Sequence, residues 1–207
     1  MKKNQFEIGN INDLDHLVWE EKNRKTILNT PIFDLVEVER ESKQGVKSDF
    51  YTLASPDWVT IIPWYLNQDN VPCFVMVQQF RHGSAKVVRE FPAGMVDRGE
   101  KAINSAYREL KEETALCSDE MIFLAKVNPN PAIMNNEANF FLAKNVYQVT
   151  DKQQLDITEQ LDVVSVPVSE VIDKMGVDPL YDNGVMLMAL SLFLKHTRFD
   201  SSLIHSK

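Results

Sequence analysis

Apolar and polar positions alternate through the early part of this chain with the period of a half-buried strand. The stretch from Ile32 to Arg40 opens with Ile32, Phe33 and Leu35 and then alternates strictly through Val36, Glu37, Val38 and Glu39, which predicts a strand. Gly45 lies in a polar turn, and Asp49 to Ala54 alternates loosely, so the two runs predict a β-hairpin. Upstream, Asp13 to Lys25 carries Leu14, Leu17 and Val18 on one side and predicts a short amphipathic helix. Residues 1–55 therefore read as a small β-rich subdomain, and 56–207 as the main domain.

Beyond residue 55 the strands are marked by β-branched and aromatic residues. Trp58 to Tyr65, Val71 to Phe80 and Lys86 to Phe91 predict strands, with turns at Asn67–Asn70 and His82–Ser84. From Ala102 to Thr114 the period changes: Ile103, Ala106, Tyr107 and Leu110 repeat at helical spacing. Further strands are predicted at Met121–Val127, Ala138–Ala143 and Asp162–Val168, with helices at Ser169–Met175 and Asn183–His196. Strands and helices mix without regular βαβ alternation, which predicts an α/β sandwich on a mixed sheet rather than a doubly wound fold.

Composition narrows the picture by exclusion. The 22 basic and 30 acidic side chains among 207 residues give a formal net charge of -8, unsuited to long-range steering toward nucleic acid. Two cysteines, Cys73 and Cys117, form no C-x-x-C pair, which argues against a disulfide framework or a zinc site and fits a reducing cytoplasm. No apolar stretch follows the charged Met1-Lys2-Lys3, so a signal peptide is not expected. The longest apolar run, Val185 to Leu194, is interrupted by Ser191 and is about half of the ~20 residues that span a bilayer. A cytoplasmic protein with no membrane or nucleic-acid partner is expected.

Candidate chemistry concentrates between Gly94 and Leu116. On the predicted helix, Glu109, Glu112 and Glu113 fall within an arc of about 100°. Like charges at this spacing repel by a few tenths of a kcal/mol per pair, roughly, and they sit where the helix macrodipole disfavours anions. A divalent cation reverses that sign, because hard cations are held by a few carboxylates together with water and phosphate oxygens. Acidic clusters on helices are more often solvated surface, and Arg108 is also spaced to pair with Glu112 at i,i+4. The flanking pattern changes the balance. Gly94, Glu100 and Arg108-Glu109-Leu110-Lys111-Glu112-Glu113 reproduce the spacing G-x5-E-x7-R-E-U-x-E-E-x-G-U of the Nudix box, with Ala115 in place of the last glycine and Leu116 in the final apolar position.

The chain thus resembles the Nudix hydrolases over approximately residues 30–195. The segments Gln79-Phe80-Arg81, Glu90-Phe91-Pro92-Ala93-Gly94-Met95-Val96-Asp97 and Asn128-Pro129-Asn130-Pro131-Ala132-Ile133-Met134-Asn135-Asn136 look like the ADP-ribose and nucleotide-sugar pyrophosphatase branch. The resemblance implies a Nudix α/β/α sandwich with a mixed β-sheet, preceded by the small β-rich subdomain. It implies Mg²⁺, with Mn²⁺ able to substitute, held by Glu109, Glu112, Glu113 and the carbonyl of Ala93. Glu112, Glu113 and a glutamate beyond the box, for which Glu137 is the nearest candidate, would carry the catalytic roles. Glu100 and Arg108 would form a structural ion pair. Arg81, Asn135 and Asn136 would bind substrate, while Trp58 and Trp64 are more readily core residues than base-stacking ones. The branch also implies a homodimer in which residues 32–54 help complete the partner's pocket.

The implied reaction is metal-dependent cleavage of the pyrophosphate bond in ADP-ribose or a related nucleoside diphosphate sugar. Its products would be a nucleoside monophosphate and a sugar phosphate. The box reads metal and diphosphate rather than the base, so GDP-mannose, UDP-glucose and dinucleotides stay open as substrates. A non-catalytic regulatory Nudix module is the alternative, disfavoured because all box carboxylates are present. An isopentenyl diphosphate isomerase-like protein lacks support, because no suitably placed catalytic cysteine motif is visible in this sequence. If the position of Ala115 requires φ > 0, alanine there costs on the order of 1 kcal/mol.

Overall fold

The computed structural model describes residues 14–198, in two units: one contains residues up to Ser55 together with Asn130–Asn135, the other Pro56–Pro129 and residues from Asn136 onward. In the first unit, three antiparallel strands, β1 (Trp19–Asn29), β2 (Asp34–Ser42) and β3 (Lys47–Ala54), form a sheet in that order. The expected β2–β3 hairpin is present, turning at Gly45 with φ 80°, and its buried positions include Val36 and Val38. The helix expected over 13–25 is corrected within the described residues. Only a 3₁₀ turn, Asp15–Leu17, precedes the long strand β1, while Asp13 lies outside the described part.

The reason is tertiary. β1 is exposed along nearly its whole length and gains its hydrogen bonds from β2. Ion pairs such as Lys22–Glu41 and Arg40–Glu21 reach across the two strands. Two register shifts, between Glu21 and Asn23 and between Thr26 and Leu28, break the period of two that would have marked a strand. The Asn130–Asn135 segment joins this unit through Leu53, whose N–H donates to Ile133 O at 2.7 Å and whose carbonyl accepts from Asn135 N–H at 3.3 Å.

The second unit is built on β4 (Trp58–Leu66), β5 (Pro72–Arg81), β6 (Lys86–Glu90), β7 (Ala93–Met95), β8 (Leu116–Cys117), β9 (Glu120–Val127), β10 (Ala138–Lys144), β11 (Tyr147–Gln148) and β12 (Leu161–Pro167). Its helices are α1 (Ala102–Thr114), α2 (Val168–Lys174) and α3 (Gly184–Thr197). The main sheet runs β12-β5-β4-β10-β9, with β6 paired to β5 and β7 to β4; β10 lies parallel to β4 and the other pairings are antiparallel. Continuous apolar strands are the sequence consequence of covering both faces. In β4 and β10, Val59, Ile61, Phe141 and Ala143 pack with Ala106 and Leu110 of α1. The alternate residues Ile62, Trp64, Phe140 and Leu142 pack with Val171 of α2 and Met186, Leu190 and Phe193 of α3. This is the α/β sandwich on a mixed sheet that the pattern predicted, with the α/β/α layering that the resemblance implied.

The run Val185–Leu194 becomes part of α3, whose Met186, Ala189, Leu190 and Phe193 are buried in the core while Leu187 stays exposed. Among the described residues, no helix is long and apolar enough to cross a membrane. Trp64 is buried and Trp58 packs against the same cluster, so both tryptophans serve the core.

Candidate active site

α1 begins and ends at the residues its 3.6-residue stripe predicts. Ala106 and Leu110 are buried against the sheet, which turns the neighbouring arc and its glutamates toward β7. Gly94 sits in β7, where a Cβ would collide with the carboxylate of Glu109. The first box glycine thus leaves room for the Glu109 carboxylate rather than answering a demand of backbone conformation. Beside it, Ala93 N–H donates to Glu113 Oε2 at 3.0 Å. The carbonyl role of Ala93 is what the resemblance implies; in the structure its N–H also fixes Glu113 relative to the strand.

Glu113 is only 3% exposed, and its pKa is pushed up to about 8, chiefly by burial. The Ala93 N–H and the charge of Arg81 oppose that rise, while Glu109 and Glu159 add to it. Glu109, 9% exposed, is also raised by burial, against the pull of Arg108. Arg108 bridges the helix face. Its Nη1 donates to Glu109 Oε1 at 2.8 Å and Glu112 Oε2 at 3.0 Å, and its Nη2 to Glu100 Oε2 at 3.3 Å and Met95 O at 3.1 Å. The expected Glu100–Arg108 pair is thus present, joined by the i,i+4 pair to Glu112. Ser105 Oγ donates to Glu100 at 2.6 Å, and this hydrogen bond leads in holding the Glu100 carboxyl below its ordinary range. Burial works against the Arg108 cation, yet Glu109 and Glu112 outweigh it and raise its pKa.

These side chains fit a divalent cation by donor chemistry. Glu109, Glu112 and Glu113 offer hard carboxylate oxygens, and burial leaves Glu113 short of compensating positive charge. Among the described residues, no three acidic, histidine or cysteine side chains already stand in ligating geometry. The contacts explain this: Arg108 draws Glu109 and Glu112 to itself, and Ala93 N–H engages one oxygen of Glu113. Cation binding would replace the Arg108 bridge.

The remaining candidates divide. Arg81 lies at the end of β5 with its side chain 46% exposed, and its Nε donates to Glu90 Oε1 at 2.6 Å. Its charge is felt at Glu113, though less than burial, the Ala93 N–H, Glu109 and Glu159. Asn136 is buried and donates to Pro56 O at 3.1 Å, with its Oδ1 unpartnered. Asn135 belongs to the other unit and accepts from Ser55 N–H at 3.2 Å. Both asparagines thus pin backbone. Glu137 is 43% exposed and ion-paired with Lys126 beside Asp57. It is not among the charges that act most on Glu109 or Glu113.

Glu159 is, and sequence reasoning missed it. It sits on the loop between β11 and β12, which is tied to the C-terminal end of α1. Val149 N–H donates to Ala115 O at 3.0 Å, Gln154 N–H to Glu112 O at 2.8 Å and Gln153 Nε2 to Glu113 O at 2.5 Å. These bonds satisfy carbonyls that a helix end leaves open. An open cavity of about 840 Å³ adjoins this loop, lined by Thr114, Ala115, Gln153 and Leu155 among others; no box carboxylate lines it.

The sandwich and its acidic helix define the class. Residues 58–182, more than half of the chain, match the NUDIX domain, and the chain belongs to the Nudix family. Among curated proteins, it is 27% identical to the methanol dehydrogenase activator of Bacillus methanolicus over 86% of this chain and 98% of that protein. It is 24% identical to the ADP compounds hydrolase NudE of Escherichia coli over 82% of this chain and 88% of the relative. The ADP-ribose pyrophosphatase of Bacillus subtilis is 28% identical over 52% of this chain and 58% of its own length. A crystal structure of an ADP compounds hydrolase superimposes with TM-score 0.75, covering 89% of this chain and 96% of that one at 21% identity, which supports the fold.

Proposed function

We propose that this Nudix protein hydrolyses the pyrophosphate bond of ADP-ribose or a related nucleoside diphosphate sugar, releasing a nucleoside monophosphate and a sugar phosphate. The observation that carries the reading is the buried pair Glu109 and Glu113, held against Ala93 and Gly94 where burial raises the pKa of both. Relatives named ADP-ribose pyrophosphatase and ADP compounds hydrolase support the substrate class.

Glu109, Glu112 and Glu113 would hold Mg²⁺. Once bound, the ion supplies positive charge to diphosphate oxygens and Lewis acidity. The rest falls to the chain. Arg81 presents guanidinium donors to the diphosphate, and the walls around Glu109 and Glu113 keep bulk water from screening those charges. A water oxygen forms a new bond to phosphorus as the bridging P–O bond breaks, and the departing phosphate keeps the electron pair. Glu159, on its tied loop, takes the proton from the attacking water. Glu137, engaged with Lys126, is the lesser candidate for that role.

The test is turnover of ADP-ribose, ADP-glucose, GDP-mannose, UDP-glucose and NADH with Mg²⁺ by wild type, Glu113→Gln, Glu159→Gln and Glu137→Gln. Monophosphate release that Glu113→Gln abolishes is expected, with Glu159→Gln slowed far more than Glu137→Gln. Binding of a panel member without turnover would overturn the hydrolase reading in favour of a regulatory module, the role suggested by the relative named as an activator. We further read the protein as a cytoplasmic homodimer. Free Cys73 and Cys117 support the compartment, and exposed Ile27, Leu28, Phe50 and Tyr51 on the first sheet support self-association. Light scattering on the intact chain distinguishes dimer from monomer.

A further inference from the structure

Glu90 is 2% exposed, yet it is a carboxylate; it lies at the end of β6 rather than on the acidic helix. A buried carboxylate persists only with partners. Glu90 has two: Oε1 accepts from Arg81 Nε at 2.6 Å, and Oε2 accepts from Asn183 Nδ2 at 2.6 Å. Strand register sets the first pair on one face of the sheet. Glu90 lies opposite Val77 in the β5–β6 ladder, and Arg81 is four residues further along β5, so Glu90 and Arg81 share a face.

Asn183 comes from 93 residues away and is the N-cap of α3. Its Oδ1 accepts from Val185 N–H at 2.9 Å and from Met186 N–H at 3.4 Å, leaving its amide group for Glu90. One side chain therefore caps a 14-residue helix and grips a buried carboxylate beside that helix's positive end.

The consequence falls on Arg81. Its guanidinium is anchored through Nε, while among the described residues neither Nη has a hydrogen-bonding partner. An arginine held by its inner nitrogen and open at its outer two is a preset anion fork. We propose that Asn183 is a positioning residue for diphosphate binding: by orienting Glu90 it sets the direction of Arg81, which engages the substrate. The inference rests on the hydrolase reading only for the identity of the anion.

The test separates the cap from the grip. Asn183→Ser and Asn183→Asp both keep an N-capping oxygen, but serine lacks the amide donor and aspartate sets a second carboxylate against Glu90. With ADP-ribose and Mg²⁺, Asn183→Ser should raise KM about tenfold with kcat within about twofold, the signature of lost uniform binding. Asn183→Asp should raise KM further. Heteronuclear NMR of arginine Nε–H groups, assigned with Arg81→Lys, should show the Arg81 signal shifted in Asn183→Ser without any substrate. An unmoved Arg81 signal, or an unchanged KM, overturns the proposal. A wild type that turns over nothing in the panel defeats the hydrolase reading, while the NMR signal still decides whether Asn183 positions Arg81. Circular dichroism confirms that the serine variant is folded.

Discussion

Arg108 and Arg81, two cations at the candidate site, make their contacts in opposite ways. Arg108, on α1, spends both Nη groups inside the protein, on three carboxylates and the carbonyl of Met95, and its buried Nε has no partner. Arg81 gives only its Nε to the protein and holds the rest outward. One arginine organises the carboxylates; the other is organised by a carboxylate, which in our proposal leaves it open to a ligand. The difference lies in which nitrogen is anchored, and it separates stability from binding. Substitution at 108 should be felt in folding and cation affinity, and substitution at 81 in KM.

The largest effect is expected at Glu113, which accepts a hydrogen bond from neither arginine and so depends most on the cation. Glu113→Gln should lower kcat/KM by on the order of a thousandfold or more, since several kcal/mol of charge stabilisation is removed. The same variant exposes the cost of this carboxylate in metal-free protein. Its folded pKa, about 8, lies above the ordinary 4.5, so between those values the folded state binds more protons than the unfolded state. The contribution is present below about 4.5 and is lost as pH rises through 8. In EDTA, the wild-type thermal midpoint should therefore decline from pH 5 to 9 more steeply than that of Glu113→Gln. Parallel curves would mean that Glu113 is not the group responsible.

Next in size is Arg108→Lys. An ammonium cannot span Glu109, Glu112 and Glu100 as a planar fork does, and Glu109 is nearly buried. A stability loss of about 2–3 kcal/mol in urea titration is expected, short of the ~3–5 kcal/mol for removing a buried partner outright. Arg81→Lys should leave stability within about 1 kcal/mol, because the ammonium can still answer Glu90, while KM rises about tenfold or more. Equal destabilisation by both lysine variants would erase the contrast.

This contrast shows where the sequence was readable. α1 was predicted to its end residues because one 3.6-residue stripe packs on one sheet face, and β4 and β10 because both their faces are covered. The box followed from local spacing, so Glu109, Glu112, Glu113 and the Glu100–Arg108 pair could be named together. The Arg81–Glu90–Asn183 chain has no such local signature. Its members lie in β5, β6 and the cap of α3, and each alone resembles an ordinary strand end or helix start. Glu159 was hidden similarly, in a loop without periodicity whose position is set by hydrogen bonds to the end of α1. β1 was misread as a helix because its charges and two bulges conceal a pairing that only β2 supplies.

The smallest predicted effect touches neither arginine and calibrates the others. α1 ends at Ala115 in the left-handed region, φ 61° and ψ 17°, where its N–H bonds to Lys111 O. Three terms compete in Ala115→Gly. Relief of left-handed strain favours glycine by about 1–2 kcal/mol. Greater freedom of the unfolded chain opposes it by about 0.4–1 kcal/mol. The methyl of Ala115 is buried, so its loss removes a further fraction of the ~0.8 kcal/mol that such a group contributes. Strain should win narrowly, for a gain of up to about 0.5 kcal/mol and a Tm rise of about 1–2 °C in a chain of this size. A fall in Tm would mean that methyl packing outweighs strain, and that alanine at this box position stabilises the helix end.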